Sequence, residues 1–224
     1  MNLGSFFLIG FDPYEVLYKP KSLLNLRKSD PVSLAGLAEA IQNGTKTGKF
    51  MIPSSHYPLK CSADNKNCQN DTKYLKDYWD LMFKNDIKFY IGAHYHTYER
   101  IYPYCQNETF SLIKSPYKFQ KDDNCIISII EGIAGNDEKI VEIYDNVKEY
   151  TAALSYGKTG VGMLTVGLSS VNYQHFSSEN VLTLEDEFEI IYKNEVKLLE
   201  EWKETRKKCN EWQANSEFSV ADVY

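Results

Sequence analysis

Short apolar runs alternate with amphipathic stretches along this chain. Lys49-Phe50-Met51-Ile52 and Ile87-Lys88-Phe89-Tyr90-Ile91 each read as a short strand, the first closed by Pro53 and the second by Gly92. Between them, Tyr74 to Lys84 places Leu75, Tyr78, Trp79, Met82 and Phe83 at spacings of three and four, the period of an amphipathic helix. The order strand, helix, strand predicts a βαβ unit with parallel strands whose C-terminal loops face the same way. Upstream, Gly4 to Tyr18 reads as a strand region. Pro31 to Asn43 reads as a helix with Leu34, Leu37, Ala38 and Ile41 on one face and Ser33 as its cap. Downstream, the β-branched run Ile126 to Ile130 predicts a buried strand, and Val161–Val166 and Leu182–Tyr192 predict further strands. Val171 to Phe176, which contains His175, reads as a strand or hairpin. The tail differs. Lys193 to Trp212 is highly charged, with Val196, Leu199, Trp202 and Cys209 near helical spacing. The chain thus divides into an α/β domain over 1–192 and a charged helical tail over 193–224.

The histidines sit where this pattern predicts a ligand site. The chain has four of them. His94 and His96 follow the second strand, one residue apart, and His56 follows the first. Ligands in open α/β sheets bind outside the carboxyl ends of the strands, so His56, His94 and His96 can meet there. Side chains at i and i+2 converge on one side of an extended backbone, and neutral imidazole is a common metal ligand. Three imidazoles suit a single Zn(II), which in catalytic sites takes three protein ligands plus water. The ordinary alternative for each histidine is packing or surface exposure, and for His175 a surface or packing role is the reading adopted.

These residues resemble a known family. Ala93-His94-Tyr95-His96-Thr97-Tyr98-Glu99-Arg100 resembles the GHxHxYER motif of purple acid phosphatases, within the calcineurin-like metallophosphoesterases. Ser55 to Ser62 resembles the segment around that family's VxxH histidine, with Pro53 in place of valine. Glu131 to Glu138 resembles its Gly-rich segment, and Tyr156-Gly157 through Thr165-Val166 its final strand region. The resemblance runs to about Tyr192. The family's N-terminal motifs DxG, GDxxY and GNHE/D do not occur in this sequence. Gly10-Phe11-Asp12-Pro13-Tyr14 has the wrong spacing for GDxxY.

The resemblance implies a part of a four-layer α/β-β/α sandwich, here the C-terminal half. It implies that His56 and His94 bind a divalent metal (Zn, Mn or Fe) and that His96 binds Fe(III). The implied activity is hydrolysis of phosphomonoesters by a metal-bound hydroxide. A two-metal site of this kind needs carboxylates to offset its charge, and imidazoles supply none. This chain is therefore expected to be an incomplete catalytic half that holds a single divalent metal at most. Its complement would be an N-terminal half or a homo-oligomer partner. The alternative is a non-catalytic pseudoenzyme or remnant that keeps the fold.

Composition narrows the partners. A net charge of −6 and no basic run argue against nucleic acid. No apolar run is long enough to span a membrane. Seventeen tyrosines suggest amphipathic packing at strand edges and loops. Five cysteines include Cys61 and Cys68 around one polar loop and Cys105 and Cys125 around another, each pair able to close a disulfide, with Cys209 left over. Asn43, Asn70 and Asn107 open N-glycosylation sequons, expected in loops. Cysteines, sequons and the family together favour a secreted or lysosomal/vacuolar glycoprotein. Met1 to Gly10 lacks a basic n-region and reads as a strand rather than a signal peptide.

Overall fold

The computed structural model describes residues 6–11, 31–62, 75–107, 109–111, 118–120, 124–133, 148–167, 169–178, 181–192, 203–204 and 206–208. In chain order the elements are β1 (Phe6–Gly10), α1 (Pro31–Lys46), β2 (Phe50–Ser54), α2 (Lys76–Lys84), β3 (Phe89–Gly92), β4 (Thr97–Cys105), β5 (Lys118–Gln120), β6 (Cys125–Glu131), β7 (Thr151–Tyr156), β8 (Thr159–Val166), β9 (Ser170–Ser178) and β10 (Leu182–Ile191). They form a six-stranded sheet ordered β1-β2-β3-β6-β4-β7 and a four-stranded sheet ordered β5-β10-β9-β8. Helices cover one face of the larger sheet, and the smaller sheet covers the other. Three layers of the expected four are thus present among the described residues.

The βαβ reading of the sequence holds. β1, β2, β3 and β6 run parallel, and β2 meets β3 at Ser54 and Ile91. α2 buries Tyr78, Trp79, Met82 and Phe83, the residues its period singled out. It ends where Asp86 takes a positive φ of 58° and Asn85 caps the Leu81 carbonyl at 2.7 Å. α1 buries Leu37 and Ile41 as expected. Ser33 lies inside its first turn and is not the cap, because the helix already begins at Pro31, a residue suited to the first helical position. The helix also runs past Asn43 to Lys46. The Asn43 sequon is therefore helical and exposed rather than in a loop.

Two apolar clusters fill the layers. Ile52, Phe89, Ile127, Ile129, Val171, Phe188 and Ile190 pack between the sheets. Leu37, Ile41, Leu59, Tyr78, Met82, Tyr90 and Ile126 pack under the helices. Many of the described tyrosines belong to this interior, while Tyr156 is exposed at the end of an edge strand, as expected. Tyr57, Tyr78, Tyr90, Tyr95, Tyr98 and Tyr173 are all buried. Three of these hydroxyls donate to partners inside: Tyr90 to the Tyr57 carbonyl at 2.5 Å, Tyr98 to Asp186 at 2.5 Å and Tyr173 to Glu131.

The sheets are also joined by charge. Arg100 of β4 forks onto Asp186 of β10, through Nε at 2.6 Å and Nη2 at 2.9 Å. Beside it, His175 of β9 stacks on Tyr98 with ring centroids 3.8 Å apart and bonds Glu131 of β6 at 3.0 Å. Tyr173 donates to the same Glu131 oxygen. His175 is fully buried, so the packing alternative is the one realised and the surface alternative is not. At the far ends of the same strands, Cys105 and Cys125 face each other across β4 and β6 and form the expected disulfide. The Cys61–Cys68 pairing, the Asn70 sequon, residues 12–18 of the first strand region, most of the Gly-rich segment and most of the 193–224 tail lie outside the described residues. Among the described residues, no helix is long and apolar enough to cross a membrane.

Candidate metal centre

The strand order places the histidines. β3 and β4 flank β6 on opposite sides and run in opposite directions. The chain must therefore cross over the carboxyl end of β6 between Gly92 and Thr97, and that crossing is the His94-Tyr95-His96 turn. Its backbone is tightly wound, with Tyr95 N–H donating to Ala93 O at 2.9 Å and Thr97 N–H to Tyr95 O at 2.8 Å. His94 takes a φ of 70°, a left-handed conformation uncommon outside glycine. Turn geometry, rather than the alternation of an extended strand, sets where the two side chains point.

Glycines let backbone segments close on this turn. A Cβ on Gly132, just past the end of β6, would lie 1.9 Å from the Tyr95 carbonyl oxygen. A Cβ on Gly92 would lie 2.7 Å from Pro58 Cα. The second contact brings the loop after β2 against β3. Ser55 N–H donates to Ile91 O at 3.1 Å and Ala93 N–H to His56 O at 3.2 Å. His56 is thereby carried to His94.

The two rings meet. His56 Nε2 lies 3.1 Å from His94 Nδ1. Tyr57 and Tyr95 flank His94 with ring centroids 4.6 Å and 5.0 Å away. His56 is exposed, whereas His94 is half-buried. Burial lowers the His94 pKa, and the charges of His56 and His96 lower it further, so the ligand-competent neutral ring is favoured. His96 is thus close enough to be felt electrostatically.

A metal can be tested against this geometry. Two imidazole nitrogens bound at about 2.0–2.1 Å to one tetrahedral zinc lie about 3.3 Å apart. The observed 3.1 Å is close to that spacing, so the His56–His94 pair fits one divalent cation. With no ion, the same contact is an N–H···N hydrogen bond with one ring as donor. A dinuclear centre does not fit the described residues. Among them, no group of three or more His, Cys, Asp or Glu side chains is arranged to hold a metal. His56 and His94 are brought together, and His96 does not complete such a group.

Two residues that sequence reasoning gave no role belong to the segments that carry the histidines, Glu99 to the strand after His96 and Lys60 to the loop after His56. Glu99 is fully buried and accepts the Ser62 N–H at 3.0 Å and the Thr151 hydroxyl at 2.7 Å. Burial raises its pKa, and the bonds from Ser62 and Thr151 pull it back. The Lys60 ammonium sits over three rings, Tyr150 at 4.8 Å, Phe110 at 5.2 Å and Tyr104 at 5.6 Å. Burial lowers its pKa. The only sequence signal for Glu99 was its place in the motif that holds His94 and His96.

Comparisons with known proteins agree on the architecture. No family model matches the chain. An acid phosphatase from Aspergillus ficuum is 28% identical over 122 residues, 52% of this chain and 19% of that protein. The purple acid phosphatase PPD1 from yellow lupin (Lupinus luteus) seeds superposes with a TM-score of 0.61 at 18% identity, covering 73% of this chain and 28% of the lupin chain. GAP50, the anchor in the inner membrane complex of Plasmodium, superposes with a TM-score of 0.57 at 14% identity, covering 84% of this chain and 50% of that one. The chain therefore spans half or less of each relative.

Proposed function

From the premise that this chain has the fold of a purple acid phosphatase and matches its C-terminal half, we propose that it supplies the histidine side of a phosphomonoesterase metal site. The observation that carries the reading is the His56–His94 contact of 3.1 Å at the carboxyl ends of parallel strands. The assigned ligands are His56 and His94 for one divalent cation, with His96 presented by the same turn. In the complete family site His96 would serve Fe(III). A cation there supplies Lewis acidity toward a phosphoryl oxygen and lowers the pKa of bound water. The chain's own contribution is positional. The left-handed turn at His94 and the close approaches at Gly92 and Gly132 hold the imidazoles in register, and burial favours the neutral form of His94. Carboxylates that would offset a second, trivalent ion come from outside the described residues, from another segment or another chain. The substrate class is a phosphomonoester, and the compartment is secretory or lysosomal/vacuolar. The acid phosphatase relative and the Cys105–Cys125 disulfide support that assignment.

A second reading has its own support. The site's described donors are imidazoles that form no metal-holding group of three, and the Plasmodium structure with the same fold is an anchor. On this reading the chain is a non-catalytic scaffold that keeps at most one metal. Metal analysis and a phosphomonoester assay separate the two. The half-site reading expects at most about one Zn(II) or Co(II) per chain. It also expects loss of that ion in His94→Ala, and turnover only when the carboxylate-bearing complement is added. Two tightly bound metals with turnover by this chain alone would overturn the incompleteness. Unchanged metal content in His94→Ala would overturn the ligand role.

A further inference from the structure

The His56 loop is fixed at both ends, by different means. Backbone bonds to β3 tie its start, at Ser55 and His56. Its far end, where Cys61 is disulfide-bonded, is held by side chains. Ser62 N–H donates to Glu99 Oε2 at 3.0 Å, and Glu99 Oε1 accepts the Thr151 hydroxyl at 2.7 Å. Glu99 lies on β4, in the strand that leaves the His94–His96 turn. It points to the helical side, while its neighbours Tyr98 and Arg100 reach Asp186 on the other side. The same loop end receives the Tyr150 hydroxyl on the Cys61 carbonyl at 2.8 Å. A fully buried carboxylate is costly unless its oxygens are occupied, and a leucine would fill the same volume without that cost. What leucine lacks is an acceptor for two donors that converge from different elements.

We infer that Glu99 is a positioning residue for the histidine pair. Its carboxylate ties the end of the His56 loop to the strand that follows His96, so that both histidines are held relative to one backbone and His56 Nε2 stays against His94 Nδ1. Glutamine can replace this function. Its oxygen accepts the Ser62 N–H, and its amide donates to the Thr151 hydroxyl, which turns to accept. Leucine cannot. The inference rests on the metal-site reading only for the metal measurement below.

The test compares Glu99→Leu and Glu99→Gln in the full chain. Without metal, amide exchange at Ser62 and the nuclear Overhauser contact between the His56 and His94 rings report position. Exchange in α2 serves as the control for global stability. With metal, a Co(II) titration followed by visible absorption reports affinity. Glu99→Leu is expected to speed exchange at Ser62, remove the ring contact and weaken Co(II) binding by about 10–100-fold. Glu99→Gln is expected to match the wild type in all three. A retained ring contact in Glu99→Leu overturns the inference. So does equal loss in both variants, which would show that charge matters and position does not. If the wild type binds no Co(II), the metal reading fails, while exchange and ring contact still decide the role of Glu99. Should Glu99→Leu fail to fold, Thr151→Val removes one of the two donors and must show the same losses to a smaller degree. No change there overturns the inference.

Discussion

Removing Asp186 isolates the charge between the two sheets. Arg100 is 0% exposed and the Asp186 side chain 5%, and the pair is held by the two guanidinium bonds of 2.6 Å and 2.9 Å. In Asp186→Ala the guanidinium stays between the sheets without its counter-ion. Breaking a buried pair from one side costs about 3–5 kcal/mol. The Tyr98 hydroxyl loses its acceptor at the same time, a further penalty of about 1–3 kcal/mol when a buried donor is left unpaired. The net expectation is a loss of about 4–8 kcal/mol. A domain stable by about 5–15 kcal/mol would lose about a quarter or more of its margin.

Urea unfolding followed by far-UV dichroism measures this loss directly, with the slope checked for two-state behaviour. The double replacement Arg100→Met with Asp186→Leu provides the contrast. It removes both charges and refills the space, leaving only the Tyr98 hydroxyl without its acceptor, so it should cost only about 1–3 kcal/mol. The reasoning fails if Asp186→Ala costs less than about 1 kcal/mol, since the charge would then be solvated or repaired elsewhere. It also fails if the double variant is less stable than Asp186→Ala alone.

Reducing the Cys105–Cys125 disulfide, with a sequence separation of 20, should cost about 3 kcal/mol of stability by loop entropy, read as a shift in the urea midpoint. No shift on reduction would refute that contribution. Partial burial pushes the Glu185 carboxyl up, but hydrogen bonds led by Lys158 at 2.7 Å outweigh it and hold it at about 2. Its stabilisation is therefore full above about pH 4.3, the ordinary carboxyl value, and fades as pH falls toward 2. Lys158→Met should raise the midpoint of acid unfolding, and an unchanged midpoint would count against the pair. On the outer face of the smaller sheet, Val161 and Leu184 both lie opposite Phe176, and Val161, Met163, Leu182 and Leu184 are 45–61% exposed. Met163→Lys with Leu184→Glu should lower self-association in light scattering, and unchanged scattering would show that this face does not drive it.

The parallel half of the fold could be read from local pattern. The period of Leu75 to Phe83 gave a helix, the apolar runs on either side gave strands, and a βαβ unit fixes their relative direction. That is enough to bring His56 toward His94. Strand β4 was harder to see. Its residues Thr97 to Cys105 alternate between the helical side and the smaller sheet, and both sides are covered. Alternation carries inside-versus-outside information only where one face meets water. Glu99, Arg100 and Asp186 therefore look like surface residues in the sequence, although all three are buried. Their partners lie 37 to 88 residues away, beyond any local signal.

That placement bears on the chemistry. The acids nearest the histidine turn in the chain pairing, Glu99 and Glu131, already hold protein donors: an amide and a hydroxyl for Glu99, a phenol and an imidazole for Glu131. Asp186 holds a guanidinium and a phenol. Withdrawing any of them to bind a cation would leave buried donors unpaired, at about 1–3 kcal/mol for each neutral group and more for Arg100. Glu99 and Asp186, whose oxygens all hold donors, thus stabilise the frame and are poor sources of negative charge for a second metal. A single divalent ion on His56 and His94 needs no such withdrawal. Metal stoichiometry therefore reads out whether carboxylates from outside the described residues have joined the site. A rise above one ion per chain when a complement is added would mark that event before any turnover is measured.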